Sequence, residues 1–256
     1  MKRYSTLHPL VMAFYSPKIY RDVAYAWRGA CILYLLILVA LAQVPGALRF
    51  HFQTKRFVRE DAPALVAQVP RMRFSGGTLA AEEPGVHRVV DPKSGRLLAL
   101  FDTTGASRTP EETPALALFT ATEVSIRTGE RETETFPYSK NLAFTVTRER
   151  LTRFLDLYAS YAAAALYPVA VALAMAFRVA QALLLSLAGL LLARWMRLRL
   201  PYAAIVRLSV ASMTPAIVLG AACAAAGAVI RFEVVVSAAL TLGYLAAALR
   251  FCKREG

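Results

Sequence analysis

Few side chains in this chain have types and spacing that could do chemistry. Asp102-Thr103-Thr104-Gly105 follows an apolar run, which would hold a carboxylate at the end of a strand. Carboxylates that share a proton work as a pair, and this loop occurs once. A turn in which Asp102 accepts neighbouring backbone N–H groups accounts for it. Glu82-Glu83 and Glu111-Glu112 are paired carboxylates on proline-flanked loops, where a solvated surface is the default. His8, His51 and His87 are scattered, with no H-x-x-x-H or C-x-x-C partner, so metal catalysis finds no support. Cys31, Cys223 and Cys252 lie in or beside apolar stretches. Cys31 and Cys252 fall toward one face, yet no histidine has ligand spacing to them, and buried structural thiols fit better. There is no Gly-x-Ser-x-Gly and no phosphate-cradling glycine loop, which excludes nucleotide-driven work within this chain. The expectation is a protein with no catalytic, cofactor-binding or metal-binding residues.

The polar residues that remain informative sit inside apolar sequence. Arg178 lies about ten residues into the stretch 169–193, where an arginine costs on the order of 2.5–3.5 kcal/mol on membrane-insertion scales. It must face other helices, a water-filled cavity or a partner, unless it marks a turn or snorkels. Gln181 is one turn on, on the same helical face. Glu233 begins the last apolar stretch beside Arg231, and an Arg178–Glu233 bridge would need the arginine to reach along its stem. Pro215, with Gly220 and Gly227, predicts a kink and close helix contact.

The elements that must position these residues are four apolar stretches, 29–48, 169–193, 205–230 and 234–250. Each is near the length that crosses a hydrocarbon core about 30 Å thick at about 1.5 Å per helical residue. A hydrophobic fraction of 57% and a mean hydropathy of +0.46 are too apolar for a soluble domain of this length. The predicted fold class is a polytopic α-helical membrane protein of about four transmembrane helices. A small α+β extracytosolic domain is inserted between its first and second spans.

The net charge of +13 is distributed unevenly. Lys2, Arg3, Lys18, Arg21 and Arg28 precede the first stretch against one acid, Asp22. Arg194, Arg197, Arg199 and Arg207 lie around the second connector, and Arg250, Lys253 and Arg254 close the chain against Glu255. The block 49–153 is nearly balanced, with 16 basic and 13 acidic residues. Positive charge beside spans is the positive-inside pattern. It makes the lipid bilayer the partner, with a second membrane protein or a second copy of the chain beyond it. Nucleic acid is not expected, because the basic segments lack a motif or aromatic interleaving. Both termini are expected in the cytosol and the block 49–153 outside.

That threading needs an odd number of crossings between 154 and 193. Pro168 offers one solution, because proline is tolerated in the first turn of a helix but not in its interior. Residues 151–167 would then be an interfacial helix with Tyr158, Tyr161 and Tyr167 as its aromatic belt, and the span would begin at Pro168. The rival is two short spans turning at Arg178, five in all, with the arginine-rich connector outside.

Four segments follow: a lead 1–28, a first span 29–48, an extracytosolic domain 49–153 and a membrane domain 154–256. In the lead, Ser16-Pro17 is a helix start, after which Ile19, Tyr20, Val23, Ala24 and Trp27 share one face. That is a short amphipathic helix for the cytosolic membrane surface. Because a structured segment precedes Ala40-Leu41-Ala42, its A-x-A form does not read as a signal-peptide cleavage site. In the outer domain, a helical start from Phe50 ends at Pro63 or Pro70. Strand-like runs follow at 72–74, 87–90, 96–101, 116–119, 123–127 and 132–138, separated by turn residues. With no cysteine there, the domain is not disulfide-stapled.

The segment FYSPKIYRDVAYAWRGACILYLL resembles the opening of the uncharacterised bacterial membrane proteins grouped as domain-of-unknown-function family 1189. LLALFDTTG and FPYSKNLAFTVTRERLTRFLD are similar to the same family, the latter to its link into the second span. RLRLPYAAIVRLSVASMTPAIVLG resembles both that family and the broader Yip-type membrane fold. The resemblance covers most of the chain. It implies fold, a bacterial cytoplasmic (inner) membrane location and topology, with no catalytic residues to carry over. Some members bear a maltodextrin-utilisation label. Two function classes follow: a non-enzymatic sensor, scaffold or adaptor using its outer domain, or a transporter or transport accessory, linked to carbohydrate utilisation, with a polar path near Arg178.

Overall fold

In the computed structural model, residues 4–27, 29–83, 85–104, 115–129, 132–141, 143–228, 231 and 233–253 are described. The chain divides into a helical unit, Met1–Phe50 with Ala163–Gly256, and a β unit, His51–Ala162. In chain order the helices are α1 (Pro9–Met12), α2 (Pro17–Ala26), α3 (Ala30–Glu60), α4 (Ala62–Val66), α5 (Arg148–Trp195), α6 (Tyr202–Ser212), α7 (Thr214–Ala226) and α8 (Glu233–Lys253). Between α4 and α5 lie strands β1 (Met72–Ser75), β2 (Thr78–Ala81), β3 (Val86–Val90), β4 (Leu97–Asp102), β5 (Ala117–Thr120), β6 (Glu123–Arg127), β7 (Thr133–Pro137) and β8 (Phe144–Val146). Four helices are long and apolar enough to cross a membrane: Ala30–Glu60, Arg148–Trp195, Tyr202–Ala226 and Val234–Lys253. The β strands fall between the first and the second.

α5 corrects both expectations for residues 151–193. It is one helix of 48 residues, with Pro168 in its interior and no turn at Arg178. Proline forfeits one N–H···O bond, but ending a helix exposes up to four N–H and four C=O groups. In an apolar surrounding that loss is the larger one. α3 likewise carries Pro45 through its interior, and the Tyr167 hydroxyl donates to the Ala40 carbonyl at 2.8 Å, within a turn or so of that proline.

α5 buries one stripe. Val171, Ala182, Ser186, Gly189 and Ala193 are buried, at the three- and four-residue spacing of a single helical face. Gly189 is where neighbours press closest. A Cβ there would sit 2.9 Å from Ile205 Cγ2 and 2.9 Å from Leu245 Cδ2. Absence of a side chain thus lets α6 and α8 meet α5.

The predicted kink at Pro215 is a full break between α6 and α7 at Met213. Pro215 has no N–H for the carbonyl four residues back, which belongs to Ala211. The Thr214 hydroxyl donates to that carbonyl at 2.8 Å. Its proton committed, Thr214 Oγ1 accepts from the Tyr34 hydroxyl at 2.6 Å, and Tyr34 is fully buried. Gly227 ends α7 in the left-handed region at φ 72°. Its N–H goes to Ala224 and that of Ala228 to Cys223, a paired C-terminal cap.

The lead helix α2 starts as its sequence implies. Ser16 is extended at the N-cap and Pro17 opens the helix, although the serine side chain makes no capping bond. Ile19, Val23, Ala24 and Trp27 are completely buried and Tyr20 nearly so. The face expected to lie on lipid is instead covered by protein, chiefly α6 and α8. Periodicity specifies an apolar face but not what covers it.

The β unit has a three-stranded sheet, β2-β1-β8, and a five-stranded sheet, β3-β4-β5-β6-β7, in which β4 and β5 are parallel. Gly76 and Gly77, both at positive φ, make the two-residue hairpin that pairs Ser75 with Thr78. Met72, Phe74, Leu79, Val89 and Phe101 form the larger core. Phe101 stacks on Phe119, ring centroids 4.6 Å apart, and Phe74 stacks on Phe144 at the same separation. Gln68 completes the edge of β3: its amide accepts from Val90 N at 2.8 Å and donates to Val90 O at 3.0 Å.

Candidate functional sites

In the helical unit, Arg178 lies on the packed side of α5. Its guanidinium donates to Gln181 Oε1 at 2.7 Å and reaches Ser237 Oγ on α8 at 3.5 Å. The i, i+3 partnership read from sequence is therefore present, and the arginine also ties α5 to α8. Glu233 opens α8, one turn before Ser237, but its side chain lies outside the described residues. Arg178 and Gln43 border a cavity of about 160 Å³ whose other walls include Ala174, Ile217, Gly220 and Ala221.

A second polar cluster holds the lead segment to the bundle, and the sequence gave no local sign of it. Arg207 Nη2 donates to the Ala24 carbonyl near the end of α2, and Arg21 Nε donates to Phe251 O at 3.0 Å near the end of α8. Cations at helix C-termini are favourably placed against the helix dipole. Trp27 Nε1 donates to Asp22 Oδ2 at 2.8 Å, and the ring of Trp27 meets Tyr34 edge-on at 5.9 Å. Cys31 Sγ lies 3.7 Å from the Arg207 carbonyl. A threonine just before proline in an apolar stretch was the available signal for Tyr34–Thr214. Arg207–Ala24 spans 183 positions and had none.

In the β unit, a polar cavity of about 360 Å³ is lined by Gln68, Arg71, Glu82, Glu83, His87, Arg148 and Glu149, with Pro70. Arg71 and Glu82 approach to 3.7 Å, and His87 Nε2 lies 2.9 Å from the Glu83 carbonyl. Glu82 and Glu83 thus border a charged hollow, while Glu111 and Glu112 lie outside the described residues. Asp102 Oδ1 accepts from Thr104 N at 2.8 Å and from Thr104 Oγ1 at 2.7 Å, the turn expected of it. Among the described residues no three His, Cys, Asp or Glu side chains converge as metal ligands.

Two groups here titrate away from their ordinary ranges. The Ser94 hydroxyl, then the Lys93 N–H, hold the Asp91 carboxyl below the usual carboxylate range. Burial pushes the Tyr138 hydroxyl up to about 12, with the Glu123 charge adding to it. Both belong to turn and core structure rather than to the charged hollow.

No curated protein and no solved structure matches this chain significantly. A family model described as "Protein of unknown function (DUF1189)" matches residues 7–249. With nearly its whole length matched, and the broken α6–α7 span and the inserted β strands inside the matched region, the chain belongs to the DUF1189 family.

Proposed function

We propose that this is a non-enzymatic sensor or adaptor of the bacterial cytoplasmic membrane. The β unit faces outward and does the recognition, and the helical unit is its anchor. The observation that carries this reading is a contrast between cavities. Polar side chains of the helical unit are largely spent on one another and on their own backbone, around a space of about 160 Å³. The β unit holds a hollow of about 360 Å³ with both signs of charge on its walls, within the ~300–1,000 Å³ range of small-molecule sites. Charged groups that are exposed and not committed to a core are free to meet a ligand or partner.

A transport role has one observation in its favour. The third span is broken at Met213–Pro215, and discontinuous helices recur where transporters bind substrate. Here, however, Thr214 and Tyr34 consume the polar groups that the break releases.

Threading tests the proposal. In a background lacking Cys31, Cys223 and Cys252, Ser94→Cys should react in intact cells with a membrane-impermeant thiol reagent. Leu198→Cys should react only after permeabilisation. Protection of position 94 in intact cells would put the β unit inside and end the outward-sensor reading.

A further inference from the structure

We propose that the groove between α3, α5 and α6 holds one anionic phospholipid, with its phosphate on Arg207 and an acyl chain along the apolar wall. The groove has a volume of about 430 Å³, and Arg207 is its only charged lining residue. Its wall is aliphatic, built from Ile32, Leu35, Leu183 and Val206, with Tyr202 at one end. Ile32 is 67% exposed and Leu183 45% exposed, so the groove opens outward from the packed bundle rather than inward. In a helix long enough to cross a membrane, such an opening faces acyl chains.

Charge complementarity selects the kind of lipid. Arg207 is five residues after Tyr202, about 7.5 Å along the helix. A guanidinium stem can span that distance toward headgroup level. One of its nitrogens is committed to the Ala24 carbonyl, and its buried Nε has no hydrogen-bond partner. The guanidinium therefore carries a full charge and makes one printed hydrogen bond, to a neutral acceptor. Arg194, Arg197 and Arg199 precede it with no acid from 194 to 207, which deepens the demand for an anion at this end of the helix. Phosphate suits arginine because both are planar or polydentate and oppositely charged. A zwitterionic lipid would supply the same chain but less net charge.

Purified full-length protein in detergent, titrated separately with phosphatidylglycerol and phosphatidylcholine and read by native mass spectrometry, tests this. Wild type should retain one phosphatidylglycerol about tenfold more tightly than phosphatidylcholine, the effect of roughly one charge-assisted bond. Arg207→Gln should abolish the preference. Ala203→Phe, which fills the groove from an exposed lining position and keeps the arginine, should abolish retention of both lipids. Arg250→Gln removes the same charge from an exposed site and should leave the preference intact. Equal retention of the two lipids by wild type, or equal loss in Arg250→Gln and Arg207→Gln, would overturn the proposal. If Arg207→Gln does not fold because Ala24 loses its partner, Ala203→Phe decides alone: unchanged retention there also overturns it.

Discussion

The helical unit and the β unit face the same requirement, that buried polar groups find partners, and meet it differently. In the helical unit hydroxyls bond back to carbonyls of their own or an adjacent turn, as Thr214 does to Ala211, Thr241 to Ser237 and Ser186 to Leu183. In the β unit a side chain stands in for a missing strand, as Gln68 does for Val90, and aromatic stacks fill the centre. A helix carries its backbone partners with it, so its polar residues need only repair local faults. A sheet edge lacks partners along its whole length, so side chains must come from elsewhere in the chain. The units should therefore fail separately and by different routes.

The largest effect is expected in the β core. Phe101 is 6% exposed and stacked on Phe119, so Phe101→Ala removes a buried ring and leaves a cavity. The cost should be about 3–5 kcal/mol. Circular dichroism should lose β signal on mild heating while helical signal persists; simultaneous loss of both would show the units melt as one.

Next comes Arg178→Leu, which takes the guanidinium from Gln181 and Ser237. A hydrogen-bonded charge at a half-buried site should be worth about 1.5–3 kcal/mol, seen as a lower melting temperature in detergent with the β signal unchanged. An unchanged or raised melting temperature would mean the arginine merely snorkels.

Tyr34→Phe should cost less, about 1 kcal/mol, because Thr214 still serves Ala211 and loses only a donor. Thr214→Val should cost more than Tyr34→Phe, since it orphans the carbonyl as well. Reversal of that order would contradict the relay Tyr34 to Thr214 to Ala211.

How far these regions could be read in the sequence also differs. Six of the eight strands lie where turn residues and β-branched runs put them. β2, Thr-Leu-Ala-Ala, and β8, Phe-Thr-Val, escaped because one is alanine-rich and both are very short. In the helical unit, lengths, the Pro215 break and the Arg178–Gln181 pair were all legible, because each is local. Continuity through Pro168 was not, since proline's cost is local while the gain from an unbroken helix is set by its surroundings. The partner of the α2 face was equally hidden: lipid and protein ask for the same apolar stripe. Long-range bonds such as Arg207 to Ala24 leave no periodic trace.

The smallest effect concerns the exposed turn at Asp91. Its carboxyl is held down by Ser94 and Lys93, so the folded form binds its proton at lower pH than the unfolded chain. The stabilisation is present above the ordinary carboxylate pKa of about 4 and is lost as pH falls through the depressed folded value. Amide exchange at Gly95, whose N–H bonds to Asp91 O, should accelerate through that acid window in wild type. Asp91→Asn should remove the pH step, and a step of undiminished size in that variant would assign it to another group.

The central claim is that polar residues inside the helical unit close it rather than line a path. Ile217 borders the cavity beside Arg178, is 3% exposed, and lies nine residues, about 13 Å, before the end of α7. In a background without the native cysteines, Ile217→Cys in permeabilised membranes should resist an impermeant thiol reagent that modifies Ser94→Cys readily. Labelling of position 217 at a rate comparable to position 94 would mean that water reaches the cavity, and the closed-anchor account would give way to a transport path.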